Sequence, residues 1–404
     1  VSTPAPASTG SDRRRRAIGL VVALLAALTT GAAGDDPVVA LTVRITTAGG
    51  AVVTRTTRSV VPRTAVPRVG DQVRVRFDPA DPAEVLLDLR RRRPRSARCR
   101  PGARDCRRRR GRMSGSSHLV ITGRAVVVGK EPDGDSVRFA PDDPALLRLL
   151  DHGDRARVSA DGSVQLRFDG VDAPELHYQD AAQPLGAAAR DRLLERLGFT
   201  AVEVAADGTT IAAATPEQVR IAVLARLVEI NGRPVAVVLA GGAADALAPS
   251  AGRWIELTPA LLASSVNAWA ASTGTAYPML YSSTDTALRD AFREAARTAR
   301  AARLGVWARD SSASFSVADA AAIGPDGALV WPKLFRRAAD FVRLRRPGDT
   351  LPAWLAATPL QDDDVLVGPG PGGTAAVPLH TLLEQDGERV VFSADPVDLT
   401  VVER

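Results

Sequence analysis

The stretch "QVRIAVLARLVEINGRPVAVVLA", Gln218–Ala240, holds two apolar runs on either side of Asn231-Gly232. Both turn residues tolerate positive φ, so the pair predicts a two-residue type I′ hairpin. Three more β-rich segments lie upstream: "LVITGRAVVVGK" from Leu119, "DSVRFA" from Asp135 and "SVQLRFDGV" from Ser163. Five strands with one tight hairpin predict a small closed barrel of OB type.

Helical patterns are interspersed. Pro184–Leu197 reads as an Ala-rich helix closed by Gly198, and Pro259–Ser272 as a second. Asp285–Arg303 places Leu288, Phe292, Ala295, Ala299 and Ala302 at steps of three or four, which predicts one packed face and a wet arginine face. The expected fold class is therefore a β-barrel plus α: a five-stranded OB-fold barrel with three packed helices, flanked by a small β region and an α+β region.

The chain has 404 residues, room for two or three domains. The expected division is 1–36 a signal peptide or membrane anchor, 37–89 a small β unit, 90–118 an Arg-rich linker, 119–310 the barrel and 311–404 a small α+β region. In the last, Leu334, Phe335, Ala338, Phe341 and Val342 fall at helical spacing. Its Arg336, Arg337, Arg343, Arg345 and Arg346 are expected on a solvated helix face, with nucleic acid as the other reading.

The formal charge of +6 is unevenly placed. Positions 90–112 hold thirteen Arg against Asp105, a net of +12, so the remainder is about −6. A basic surface over the whole molecule is thereby excluded. Cys99 and Cys106, the only cysteines, lie in this tract without the CxxC pairing of a zinc site. They read as an accidental pair, or as a disulfide loop if exported.

Upstream, "RRRRAIGLVVALLAALTTGAAGDD" has a basic start, an apolar run from Ile18 to Leu28 and small residues at Gly31–Gly34. That is the grammar of a signal peptide or short anchor, so a secreted or membrane-anchored protein is expected. A start at Met113 would instead make the protein cytoplasmic.

The chemistry concentrates in "RFDGVDAPELHY", Arg167–Tyr178. Pro174 lacks an N–H and stops a strand ladder, leaving the Ala173 carbonyl available between Asp172 and Glu175. Two carboxylates and a carbonyl within four residues suit a hard, oxygen-seeking cation such as Ca²⁺. The acidic turn "DGDS" can add Asp135, Arg167 stands five residues before Asp172, an odd offset along an extended strand, and Arg233 begins the strand just past the Asn-Gly turn. His152 and His177 are expected as ordinary surface residues.

In order, "DGDSVRF", "LRFDGVDAPE", "NGRPVAV", "VNAWAASTGTAYP" and "LGVW" resemble the staphylococcal nuclease (thermonuclease) family over about Leu119–Asp310. The resemblance implies a calcium-dependent nuclease hydrolysing phosphodiester bonds of DNA or RNA, leaving 3′-phosphate ends and acting as a monomer. It implies Asp135, Asp172 and the Ala173 carbonyl as Ca²⁺ ligands and Glu175 as the group activating water. Arg167 and Arg233 would hold the scissile phosphate, and Tyr277 and Tyr281 would lie beside the substrate. This fits the general demand of phosphoryl transfer for cations and a positioned water. The chain departs from the family pattern at Ile230 and Asn231 and in two insertions, "PDDPALLRLLDHGDRARVSADG" and "ADGTTIAAATPE". The rival expectation is a catalytically weak or inactive module of this fold that binds nucleic acid or protein.

Overall fold

The computed structural model describes residues 117–368 and 376–403 in full, and the backbone of 17–33, 36–46, 52–60, 74–78 and 81–87. The Arg tract, both cysteines and Met113 lie outside the described residues. The chain forms two compact units, Val1–Cys106 and Arg107–Arg404.

In the first unit, strands Ala17–Ala33, Asp36–Thr46, Val52–Val60, Arg74–Asp78 and Asp81–Leu87 form one five-stranded sheet. The apolar run expected as a leader or anchor lies in its central strand, paired on both sides. Among the described residues, no helix is long and apolar enough to cross a membrane.

The second unit is built on β1 (Ser117–Val126), β2 (Arg138–Pro141), β3 (Val164–Gln165, continuing as Arg167–Phe168), β4 (Gln218–Val228) and β5 (Pro234–Ala240). β1 pairs antiparallel with β2 and β4, and β4 pairs antiparallel with β5. β3 closes the ring: its first half pairs antiparallel with β2 and its second half runs parallel to β5. The result is a nearly closed, barrel-like mixed sheet. Leu119, Ile121, Phe139, Leu166, Leu224 and Val238 are buried in its core. Closure matters for the site, because it brings the end of β3, and everything in "VDAPE", to one rim.

The hairpin forms, but not as a type I′ turn. Gly232 alone of the two takes positive φ, at 84°, and the Glu229 carbonyl accepts from the Gly232 amide at 2.9 Å while the Glu229 amide donates to the Arg233 carbonyl at 3.0 Å. This is a three-residue loop ending in a left-handed glycine, which suits the strand twist equally well.

Helix α1 (Gly186–Leu197) ends at Gly198, whose left-handed φ of 114° closes it as expected. The expected helix Pro259–Ser272 is instead two, Pro259–Ala263 and α2 (Val266–Ser272). The break has a local cause: the Ser265 side chain accepts from the Ala268 amide and starts a new helix. α3 (Thr286–Ala301) buries Leu288, Phe292, Arg293, Ala296 and Ala299, and Ala295 packs partly buried against the same core as Leu288 and Phe292, so the packed stripe takes in Arg293 and Ala296 as well and leaves only Ala302 of the expected face exposed. Arg293 is not on a wet face: its guanidinium donates to the Thr400 hydroxyl at 2.7 Å and the Val397 carbonyl at 3.3 Å.

Those contacts reveal the larger difference. Residues 311–404 are not a separate tail, because Tyr277, Met279, Ala296, Ala299, Val306 and Trp307 share one apolar core with Trp331, Phe335, Phe341, Leu351 and Val390. The helix expected in this region is α4 (Pro332–Leu344). A second unexpected element is the hairpin Ala201–Val204 with Ile211–Thr215, whose turn and second strand come from the inserted segment. Its second strand is Ala-rich and carries little β propensity, but the Asp207 carboxylate accepts from the Thr209 and Thr210 amides and forms the turn.

Asn267 locks α2 to the barrel. Wholly buried, it accepts from the Val238 amide at 2.8 Å and donates to the Asp169 and Ala236 carbonyls at 2.8 and 3.0 Å. Asn267→Ala leaves these buried groups without partners, and we expect a loss of about 2–3 kcal/mol in urea unfolding.

Candidate functional site

Three chain segments bring the acidic groups together. The first is the turn Asp133–Ser136, where the Asp133 side chain accepts from the Asp135 amide at 3.1 Å. Gly134 is needed here because of close approach: a Cβ would lie 2.5 Å from that of Ala173 and 2.7 Å from that of Ala189. That approach lets Asp135 Oδ2 accept from the Ala173 amide at 3.1 Å.

The second segment is the short strand Gly170–Asp172, which pairs antiparallel with Tyr277–Met279, Asp172 opposite Tyr277 and Gly170 opposite Met279. The third is Pro174–Gln183, in which the Gln183 side chain accepts from the Glu175 amide at 3.1 Å and donates to the Val330 carbonyl at 2.6 Å. Glu175 is thereby tied to the C-terminal region as well as to the barrel.

The decisive contact comes from α4. Arg336 donates to both oxygens of Asp172, at 3.2 and 2.8 Å, and pairs with Glu175 Oε1 through the same guanidinium. The Asp172 side chain is only 2% exposed and that of Arg336 17%, so this is a largely desolvated two-pronged ion pair. The neighbouring helix positions hold α4 in place, with Lys333 and Arg337 both on Asp363 at 3.1 and 3.0 Å. Helical spacing alone puts Arg336 on a solvated face, and the structure corrects that expectation. The three-residue spacing from Lys333 to Arg336, with Arg337 beside it, signals that one side of the helix is cationic, but the acidic partners of Arg336 lie more than 160 positions upstream.

The other expected residues divide. Arg167 reaches the Tyr281 hydroxyl at 3.2 Å, and both Asp172 and Asp135 act electrostatically on it, so Arg167, Tyr281 and the carboxylates belong to one site. Arg233 instead pairs with Glu229 across the hairpin turn at 3.0 Å. Tyr277 has no exposed surface; its hydroxyl donates to Asp310 at 2.9 Å and its ring meets Trp307 edge to face. Without surface it cannot touch a substrate, so it is a packing residue. His177 is exposed near Glu131 and His152 is exposed in a left-handed turn, as expected of surface residues.

The charges perturb one another. Burial, Asp133 and Asp172 push the Asp135 carboxyl well above its ordinary value of 3.8. Burial also raises Glu175, against the pull of Arg336. For Asp172 burial acts upward too, but Arg336 and Arg167 outweigh it and hold the carboxyl below its ordinary value. A raised carboxyl is costly to ionise in the folded chain, and the cost is present above the folded value and relieved as pH falls through it toward 3.8. Asp135→Asn is therefore expected to raise the melting midpoint at pH 7, on a scale of about 2–4 °C per kcal/mol relieved. The gain should shrink as pH approaches the ordinary carboxyl value, which thermal melts across that range will show.

As folded, this donor set does not fit a calcium ion. Both Asp172 oxygens and one Glu175 oxygen are held by Arg336, and Asp135 Oδ2 by the Ala173 amide. Among the described residues, no group of three His, Cys, Asp or Glu side chains is arranged to hold a metal. No family model matches the chain, and no curated protein matches it.

Proposed function

We propose that the second unit is an OB-fold nuclease that hydrolyses phosphodiester bonds of DNA or RNA at the rim formed by Arg167, Asp135, Asp172 and Glu175. The observation that carries this reading is the convergence of these three carboxylates with Arg167 where β3 leaves the barrel. The strand order supports the OB assignment, since β3 joins β2 antiparallel and β5 parallel and so brings the mixed sheet nearly round on itself.

In this reading Arg167 binds a non-bridging phosphate oxygen and offsets charge as it builds, while the Tyr281 hydroxyl orients the guanidinium. Glu175, once released from Arg336, accepts a proton from water; the water oxygen forms the new P–O bond, the bridging P–O5′ bond breaks, and the departing 5′ oxygen takes a proton from solvent to leave as a hydroxyl. A raised carboxyl suits that role, because its basicity lies closer to neutral pH.

A second reading has its own observation: Arg336 neutralises both Asp172 and Glu175, and Arg233 is engaged by Glu229, as in a binding module without catalysis. The full chain should be incubated with single-stranded DNA and with RNA, with calcium and with chelator. Cleavage of either polymer with 3′-phosphate ends supports the nuclease. Retention of intact, bound polymer in every arm supports the binding module.

A further inference from the structure

We propose that Arg336 and a divalent cation are mutually exclusive occupants of the Asp172 and Glu175 carboxylates, so that α4 sets the metal affinity of the site. The consequence for cleavage rests on the nuclease reading, although the competition itself is a matter of binding alone.

The geometry is specific. Calcium takes six to eight oxygen ligands at about 2.3–2.6 Å. Here the guanidinium fork lies on both Asp172 oxygens and on Glu175, filling the positions such an ion would need. A guanidinium and a divalent cation cannot share those oxygens, since their like charges would meet in a poorly hydrated site.

Arg336 is not a loose side chain that happens to reach the carboxylates. Lys333 and Arg337, before and after it in the helix, both clasp Asp363, and Gln183 ties the Glu175 segment to Val330 just before α4. One turn further, the buried Asp340 accepts from Tyr178, Gln179 and Gln361 at 3.0, 2.8 and 2.9 Å. The loop carrying Glu175 and the helix carrying Arg336 are thus fastened together on both sides of the ion pair. Metal entry has to break the Arg336 contacts against these fastenings.

The test is calorimetric titration of calcium into the full 404-residue chain, into Arg336→Gln and into Arg336→Gln/Asp172→Asn. We expect the wild type to bind no tighter than about 1 mM. Arg336→Gln should bind at least about tenfold tighter, and the added Asp172→Asn should remove the gain. Asp363→Asn, which loosens α4 while leaving Arg336 in place, should shift affinity the same way by less; it serves if Arg336→Gln fails to fold. Wild-type binding in the micromolar range that Asp172→Asn abolishes would overturn the proposal, as would unchanged affinity in the folded variants. Tighter calcium binding without cleavage would uphold the competition and remove the nuclease reading. Cleavage with unchanged affinity would do the reverse.

Discussion

Replacing Arg336 by methionine should lower the unfolding free energy by about 3–5 kcal/mol, the cost of leaving a buried charge uncompensated. Asp172 is the charge concerned, with its side chain 2% exposed and both oxygens on Arg336. The double variant Arg336→Met/Asp172→Asn should recover most of the loss, because the charge that needed the guanidinium is gone. The pH dependence has a fixed sign. The Asp172 carboxyl is held below its ordinary 3.8, so its contribution is present above that value and is lost as pH falls through the folded one. The difference between wild type and Arg336→Met should therefore narrow in strong acid. Urea unfolding of the three proteins at pH 7 and at low pH measures both effects.

Arg167→Ala should lower the cleavage rate by about 10²–10³, the usual loss when a positioned donor to a developing charge is removed. Arg167→Lys should recover only part, because a point charge cannot reproduce the planar fork toward a phosphate and the Tyr281 hydroxyl together. Single-turnover rates on an end-labelled oligonucleotide give the comparison directly.

Much of the barrel is legible in the sequence because its cues are local. The apolar runs of β1, β4 and β5, the Asn231-Gly232 turn and the C-terminal Gly198 of α1 each depend on neighbours within a few residues. Where a nearby side chain outcompetes the pattern, legibility fails, as when Ser265 caps a new helix inside Pro259–Ser272. The α3 stripe departs from its pattern for another reason. Arg293 is long enough to donate to Thr400 and Val397 while pairing with Asp290, so an arginine stands in an apolar row.

The site divides along the same line. Asp135, Asp172, Glu175 and Arg167 sit in short motifs with recognisable turn chemistry, and the structure gathers them. Arg336 cannot be placed from its own segment, because its helix pattern shows which face is apolar but not what the opposite face meets. Arg233 and Tyr277 show the converse: each matches a motif by position, yet Glu229 and Asp310 engage their polar groups first.

The central claim is that these carboxylates and Arg167 form a phosphodiester-cleaving site. Its most direct test is the cleavage rate of Glu175→Gln against wild type on single-stranded DNA and RNA, with near-UV circular dichroism confirming equal folding. A loss of about 10²–10⁴ is predicted, the range of general-base catalysis. An undiminished rate in a fully folded Glu175→Gln would contradict it.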